Sequence, residues 1–159
     1  MLQSSNLYVC SFDKDAKLFD TIYASYSPFT FKIIIMTKIL FDRLGGITGI
    51  TTIVDDVVEA HMNNPAISAR FLPYKEQPER LAVIKQHTID FFSAGSGGPV
   101  TYSGRDMPTT HKGMNISPTE YMHVVDDILK VLDKHNADDE TKKDVLAILW
   151  SLKDMIISK

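Results

Sequence analysis

From residue 39 onward, the apolar residues of this chain recur at intervals of three and four. That interval is the period of an α-helix with one buried face, whereas a half-buried strand would alternate apolar and polar residues. The first long stripe comprises Ile47, Ile50, Val54, Val57, Val58 and His61. No alternating segment follows Met36 in the sequence, so we predict an all-α fold.

Three further apolar stripes predict three more long helices. In the first of them the inward-facing residues are Leu81, Ile84, His87, Thr88, Phe91 and Phe92. In the second they are Met122, Val125, Leu129 and Leu132, widened by Val124, Ile128 and Val131. In the last they are Val145, Ile148, Leu149, Leu152 and Ile156. With 44% apolar and 23% charged residues, the composition is that of an ordinary globular domain.

Glycine, proline and capping residues mark where these helices begin and end. The Gly-Gly pair at 45–46 separates a short first helix over residues 38–44 from the first long helix, which Asn-Asn-Pro at 63–65 ends. Proline suits a first helical turn, so Pro78 begins the next helix, and glycines at 95, 97 and 98 end it. The other signals are a capping box over residues 117–120 (SPTE) and an N-cap at Asp138.

Residues 95–118 form a long irregular connector that is rich in glycine and proline. We expect one short turn of helix within it, over Met107–His111. A connector of this length is uncommon inside a compact helical domain and is often functional.

Residues 1–35 differ from the rest because they are rich in Ser, Thr, Tyr and Phe and lack a helical period. We interpret them as an N-terminal extension outside the core, with the folded domain over 36–159. The alternative is an extra helix or strand packed on that domain. Organised sequence begins directly after Met36, which makes this methionine a candidate start of the protein.

Charge and cysteine content exclude several classes of protein. The net charge is −3 and no basic block is present, which argues against binding nucleic acid or a membrane surface through electrostatics. A single cysteine, Cys10, rules out an intrachain disulfide framework and fits a reducing compartment. No apolar run approaches the roughly 20 residues that span a bilayer, and no secretory signal opens the sequence, so we expect a cytoplasmic protein.

The five histidines are the side chains most able to carry chemistry. His61 lies on an inner face near a helix end, so we expect it to be half-buried and hydrogen-bonded. His123 is expected at the surface, and His135 in solvent near a helix C-terminus. His87 lies within an apolar stripe, and His111 closes the connector. Their spacing is no metal motif, so the residues alone predict only an all-α domain with a histidine-bearing pocket.

Three motifs, in order and with matching spacing, resemble group 1 truncated hemoglobins. They are LFDRLGG at 40–46, DFFSAGSGGP at 90–99, and YSGRDM at 102–107 followed by HKG at 111–113. The resemblance covers about residues 39–157 and implies a two-over-two helical sandwich enclosing heme b. The double glycines fit that fold, because they let the chain bend sharply where a shortened globin has lost helical length.

The resemblance also implies roles for individual residues. His111 matches the proximal histidine, the protein ligand of the heme iron, and Phe71 matches the phenylalanine that packs flat against the porphyrin. The other matched positions are Phe91 and Phe92, which line the distal pocket and the entry path, and Tyr102 and Met107, which pack on the proximal side. Arg105 and Lys85 are candidates to pair with a heme propionate; a solvated charge is the alternative.

The distal side departs from the family's pattern. Group 1 members commonly place a tyrosine that hydrogen-bonds the gas where this chain has Val58, and often a glutamine where it has Thr88, while Ile84 one turn earlier is apolar. The pocket is therefore expected to offer few hydrogen-bond donors. His87 matches a position that serves as a second iron ligand in some cyanobacterial members, so it is a candidate distal ligand or donor; the alternative is a pocket-edge histidine that never reaches iron.

The function implied by the resemblance is reversible binding of dioxygen, nitric oxide or carbon monoxide at ferrous heme iron. The alternatives are a nitric oxide dioxygenase served by an electron-donating reductase, a hexacoordinate redox or sensor protein, and a cofactor-free helical interaction module. No nucleic-acid or membrane partner is expected, and the protein is expected to be a monomer or a weak dimer.

Overall fold

This computed structural model describes residues 38–159. These residues contain seven α-helices and one 3-10 helix. The helices are α1 (Leu40–Arg43), α2 (Gly46–Asn63), α3 (Ser68–Phe71), α4 (Pro78–Gly95), α5 (Met107–His111), α6 (Pro118–Lys134) and α7 (Asp139–Ile156), with the 3-10 helix at Leu72–Glu76. Over the same residues, β-type pairing is limited to one isolated bridge between Ile116 and Ile157. The prediction of an all-α fold is confirmed.

The N-terminal part of the chain does not enter this description. The extension predicted over residues 1–35, and Met36 as a candidate start, lie outside the described residues. Among the helices that are described, none is both long and apolar enough to cross a bilayer.

Two pairs of long helices form the body of the domain. Helix α2 packs along α4, α6 packs along α7, and α2 also contacts α6, which joins the two pairs into a two-over-two sandwich. The residues buried where they meet are Leu44, Ile50, Val54, Ile89, Tyr121, Val125, Ile128, Leu132, Val145, Leu149 and Ile156. Full burial of an aliphatic side chain contributes about 1.5–3 kcal/mol, so this shared apolar core is the main force that holds the layers together.

The predicted boundary signals act where they were expected. Gly45 has a φ of 83°, a left-handed conformation that glycine adopts without strain, and it separates α1 from α2. Ser117 and Glu120 form a reciprocal capping box at the start of α6. Asp138 caps α7 through its side chain. The short helix predicted over Met107–His111 is α5.

Three residues predicted to face inward are exposed: Ile47, His87 and Met122. Ile47 lies in the first turn of α2, and burial of that face begins with Ile50. The buried stripe of α6 instead begins at Tyr121, which displaces Met122 to one side.

The register of α4 was also predicted wrongly at His87. Its buried residues are Ile89 and Ser93, and His87 precedes Ile89 by two positions, or about 200° around a helix. The apolar residues of α4 occupy a broad arc, so periodicity alone did not single out the face that packs.

His135 is half-buried and lies against a carboxylate, in contrast to its predicted place in solvent. Its Nε2 lies 2.6 Å from Oδ2 of Asp56, and Nζ of Lys134 lies 3.0 Å from the other oxygen of the same carboxylate. Hydrogen bonds from Lys134 and His135 lower the pKa of Asp56. The cluster connects the end of α6 to α2, a long-range contact that local sequence does not reveal.

Candidate functional site

His111 is the last residue of α5 and is partly buried. Its Nδ1 lies 2.9 Å from the carbonyl oxygen of Met107, one turn earlier. In the neutral tautomer with a proton on Nδ1, that nitrogen donates to the carbonyl and Nε2 keeps its lone pair. Metal-ligating histidines are held in this way, because the second hydrogen bond fixes the tautomer and the ring orientation.

Residues at the start of α5, the short helix that carries His111, favour its formation. Asp106 is the N-cap, and its Oδ1 accepts the backbone N–H of Thr109 at 2.8 Å. Hydrogen bonds from Thr109 hold the pKa of Asp106 below its usual value, so the cap is a carboxylate at neutral pH. Pro108 occupies the first turn, and Met107 packs against the hydrophobic core. The single helical turn before the imidazole is therefore anchored at its start.

An aromatic cluster joins α4 to the connector. The ring of Phe91 meets the ring of Tyr102 edge-on, with centroids 5.3 Å apart, and meets Phe92 edge-on at 6.3 Å. The hydroxyl of Tyr102 donates to the carbonyl of Arg105 at 2.9 Å, which folds the connector back on itself just before α5. Residues assigned by resemblance to the two sides of a heme thus come together at this end of α4.

The hydroxyl of Thr88, on α4, is already engaged in a hydrogen bond. Thr88 donates its hydroxyl proton to the carbonyl of Ile84 at 2.9 Å, one turn earlier. Thr88, Phe92 and Val57 border a small apolar cavity between the helices, which is also lined by Leu44, Ile50, Ile53, Val54, Ile128, Leu132 and Val145. Val58 is partly buried, and His87 is exposed.

The two candidate partners of a propionate differ in environment. Nζ of Lys85 lies 2.8 Å from Oδ1 of Asp55 on α2, so its charge is already paired. The side chain of Arg105 is exposed.

Phe71, at the end of α3, packs against a buried polar network. Its ring centroid lies 4.8 Å from that of His61, with the planes tilted by 36°. Nδ1 of His61 lies 3.1 Å from Oδ2 of Asp127, and the Asn64 side chain donates to the same oxygen at 2.8 Å. Both His61 and Asp127 are only 5% exposed. Burial lowers the pKa of His61, which favours the neutral imidazole at pH 7.

The hydrogen bonding of His61 was predicted from the sequence, but its partner Asp127 was not. A signal was present, because Asp127 lies three residues after Val124 and four before Val131 on the apolar face of α6. An aspartate on such a face is almost never buried unless it is paired. His61 was expected to be half-buried. It is almost fully buried, because the carboxylate of Asp127 satisfies its ring nitrogen.

The resemblance implies a heme, and the donors at this site fit one. A neutral imidazole with one nitrogen held by a carbonyl is the donor that a globin presents to heme iron. The flanking aromatic and aliphatic side chains of α4, the connector and α5 are of the kind that line cofactor sites.

Comparisons with known proteins agree with this architecture. The sequence model for the family described as bacterial-like globin matches residues 39–158. The truncated hemoglobin of Tetrahymena pyriformis, in its Fe(III) form, is 17% identical, with a TM-score of 0.68 over 77% of this chain and 100% of that chain. The group II truncated hemoglobin of Bacillus anthracis is 19% identical, with a TM-score of 0.66 over 78% of this chain and 94% of that one. The 2/2 hemoglobin of Synechococcus, solved with covalently attached heme, is 19% identical, with a TM-score of 0.64 over 73% and 94%.

The structural likenesses, at these identities, show the two-over-two fold. The family match spans all seven helices α1–α7 and includes both α4 and the histidine-bearing α5. The chain therefore belongs to the bacterial-like globin family.

Proposed function

We propose that this protein reversibly binds a diatomic gas, dioxygen, nitric oxide or carbon monoxide, at the ferrous iron of heme b, with His111 as the protein ligand of that iron. The observation that carries the proposal is the 2.9 Å hydrogen bond between Nδ1 of His111 and the Met107 carbonyl, which leaves Nε2 available. When bound, heme b supplies a ferrous iron with an open position for a gas molecule. On the three motifs named above, we place the chain in group 1 of its family, with the domain over residues 36–159.

The side chains around His111 are assigned supporting roles in this proposal. They exclude water from the site and hold a flat apolar cofactor through contact with its faces. The residues so assigned are Phe71, Ile84, Thr88, Phe91, Phe92, Tyr102 and Met107. Two of these residues, Phe91 and Tyr102, lie in edge-on contact and so form one aromatic cluster.

Thr88 and Val58, two of the positions matched to the distal side, favour rapid release of the gas. Thr88 donates its hydroxyl proton to the Ile84 carbonyl, and the side chain of Val58 has no hydrogen-bond donor. A hydrogen bond to a bound ligand is worth about 1–3 kcal/mol, and each 1.4 kcal/mol changes a dissociation constant about tenfold. A gas held without such a bond leaves sooner, which supports reversible binding over a reaction that requires long-lived bound dioxygen.

The experiment is an optical titration of the protein reconstituted with hemin and then reduced. We expect a five-coordinate ferrous spectrum that changes on addition of carbon monoxide and returns when the gas is removed. His111→Ala should lose the wild-type axial signature, while His123→Ala, a histidine on α6, is the matched control and should behave as wild type. A purified protein with no Soret band even after hemin is added would contradict the proposal and favour an interaction module.

Spectra and activity assays of the same samples distinguish the alternative functions of a heme site. Low-spin spectra in both oxidation states, abolished by His87→Ala, would identify His87 as a second ligand and favour a redox or sensor protein. Sustained conversion of nitric oxide to nitrate with dioxygen and a reductase would identify a dioxygenase. With a single cysteine in 159 residues, we propose the reducing cytoplasm as the compartment.

A further inference from the structure

Arg70, on α3, ties together three segments that are distant in sequence. Its Nε donates to Oε1 of Glu120 at 2.6 Å, and one of its terminal nitrogens donates to the carbonyl oxygen of Met114 at 2.9 Å. Glu120 lies in the first turn of α6, and Met114 lies in the connector just after His111. A guanidinium can serve both acceptors because its five N–H donors are arranged in a rigid planar fork.

The carboxylate that anchors Arg70 is itself fixed. Glu120 accepts the backbone N–H and the hydroxyl of Ser117, each at 2.8 Å, through the oxygen that Arg70 does not use. Arg70 and Ser117 together lower the pKa of Glu120 to about 2, so the anchor is charged at every physiological pH. Arg70 is therefore held by the start of a long core helix.

The other acceptor lies in the turn that follows His111. The backbone N–H of Met114 donates to the carbonyl of His111 at 3.0 Å, while its own carbonyl receives Arg70. Within this turn Gly113 has a φ of 82°, and a Cβ built on it would meet no atom within 4 Å. The turn is therefore open around Gly113. Arg70 gives this turn a fixed contact at Met114, three residues after His111.

A second anchor holds the end of the same turn. The backbone N–H of Asn115 donates to the carbonyl of Lys159 at 2.9 Å, and that of Ser158 donates to Ile116 at 3.0 Å. These bonds lie one and two residues beyond Met114. Of the two anchors, Arg70 acts closer to His111, and it is also the residue directly before Phe71.

We propose that Arg70 is a positioning residue for His111, which holds the turn after α5 against α6 and thereby sets the orientation of the imidazole toward the heme iron. The proposal rests on the proposed function, in which His111 is the iron ligand. Through this one side chain, the segment that contains Phe71 is joined to the turn that follows His111.

The test compares Arg70→Met, Arg70→Lys and Arg43→Met in the full-length, heme-loaded ferrous protein without gas. Arg70→Met keeps the aliphatic stem and removes both hydrogen bonds, whereas lysine is a point charge that lacks the two-pronged fork. Arg43 is the matched control, because its side-chain hydrogen bonds go to Asp144 and Thr141 and join α1 to α7. The readouts are the iron–histidine stretching band in resonance Raman spectra and the rate of heme loss to an excess of a heme-scavenging protein.

We expect Arg70→Met to shift or broaden the iron–histidine band and to speed heme loss about tenfold, with Arg70→Lys in between. Arg43→Met should lower resistance to urea but leave the band unchanged. Glu120→Gln, which weakens the anchor, should move the band in the same direction as Arg70→Met, and it provides the test if Arg70→Met does not fold.

An unchanged band in Arg70→Met and Glu120→Gln, with a stability loss like that of Arg43→Met, would overturn the proposal and leave Arg70 a structural role only. A wild-type protein without an iron–histidine band, matched by His111→Ala, would overturn the proposed function as well. The two failures are thus told apart by the wild-type spectrum.

Discussion

At the scale of single residues, two histidines use the same ring nitrogen for different purposes. Nδ1 of His61 meets a buried carboxylate, that of Asp127, whereas Nδ1 of His111 meets a backbone carbonyl. The first ring is packed on Phe71 inside a closed network between α2 and α6, and the second lies at the end of a short helix within the Gly/Pro-rich connector. Burial and hydrogen bonding therefore assign His61 to structure and leave His111 as the candidate ligand.

The His61–Asp127 pair yields a prediction about stability. Asp127→Ala removes the acceptor of both His61 and Asn64 inside the protein, so we expect the free energy of unfolding to fall by about 2–4 kcal/mol. Urea denaturation measures this change in the free energy of unfolding. Asp126→Ala, the exposed neighbour on the same helix, is the control and should change the free energy by less than about 0.5 kcal/mol. Equal losses in the two variants would refute the role of the network.

Val58 yields a prediction about gas release. Val58→Tyr places a phenolic donor on the partly buried face of α2, and we expect dioxygen to dissociate about tenfold more slowly or more, since a hydrogen bond to the ligand is gained. Stopped-flow displacement of dioxygen by carbon monoxide measures the rate. Val58→Phe adds a similar ring without a hydroxyl. If Phe and Tyr slow release equally, hydrogen bonding is not the cause.

At the scale of helices and turns, local signals were predictable and long-range contacts were not. The capping box at Ser117 and Glu120 depends on residues three apart, and it was predicted from sequence alone. The contact of Arg70 with Met114 joins residues far apart in the chain, and nothing in the sequence near either one indicates it. The exposure of His87 was missed for a related reason, because which face of α4 is buried depends on how α2 packs against it.

Glu120 yields a prediction about acid stability. Its folded pKa of about 2 lies below the ordinary value of 4.5, so the unfolded chain takes up a proton first as pH falls. The stabilisation from Glu120 is therefore complete above pH 4.5 and is lost between 4.5 and about 2. We expect Glu120→Gln to be less stable than wild type at pH 7, with the difference shrinking across that window.

Urea midpoints of both proteins at several pH values through the window measure this effect. Glu59→Gln, an exposed glutamate on α2, is the control and should run parallel to wild type. A wild-type minus Glu120→Gln difference that stays constant down to pH 2 would show that Glu120 is not held ionised by Arg70 and Ser117.

At the scale of the whole molecule, the sandwich and its connector differ in what stabilises them. The four long helices share an apolar core. The connector between α4 and α6 packs on that core mainly through Met107 and Ile116 and is otherwise held by local bonds, by Arg70 and by the C-terminal residues. The helical class and the short helix α5 were predictable because period and capping are local properties, whereas the role expected for His111 came from the resemblance. The burial of Asp127 and the pairing of His135 depend on helix packing, so they were visible only in three dimensions.

This division yields a prediction about the cofactor. A ligand that binds only the folded state stabilises it by mass action, so at a free heme concentration about 100 times its dissociation constant the gain is about 2.7 kcal/mol. For a domain of this size we expect hemin to raise the thermal midpoint by about 10 °C. Circular dichroism melts with and without hemin measure the shift, and His111→Ala should show a much smaller one. No shift in the wild-type protein would contradict a heme-binding role.

The most direct test of the central claim is chemical rescue of His111→Gly. The variant removes the imidazole and leaves space for free imidazole to enter and bind the iron. We predict that the reduced, heme-loaded variant lacks the iron–histidine band of the wild type and regains an axial imidazole signature when imidazole is added. A variant that keeps the wild-type band without added imidazole would contradict the account, because the iron would then be bound by some other residue.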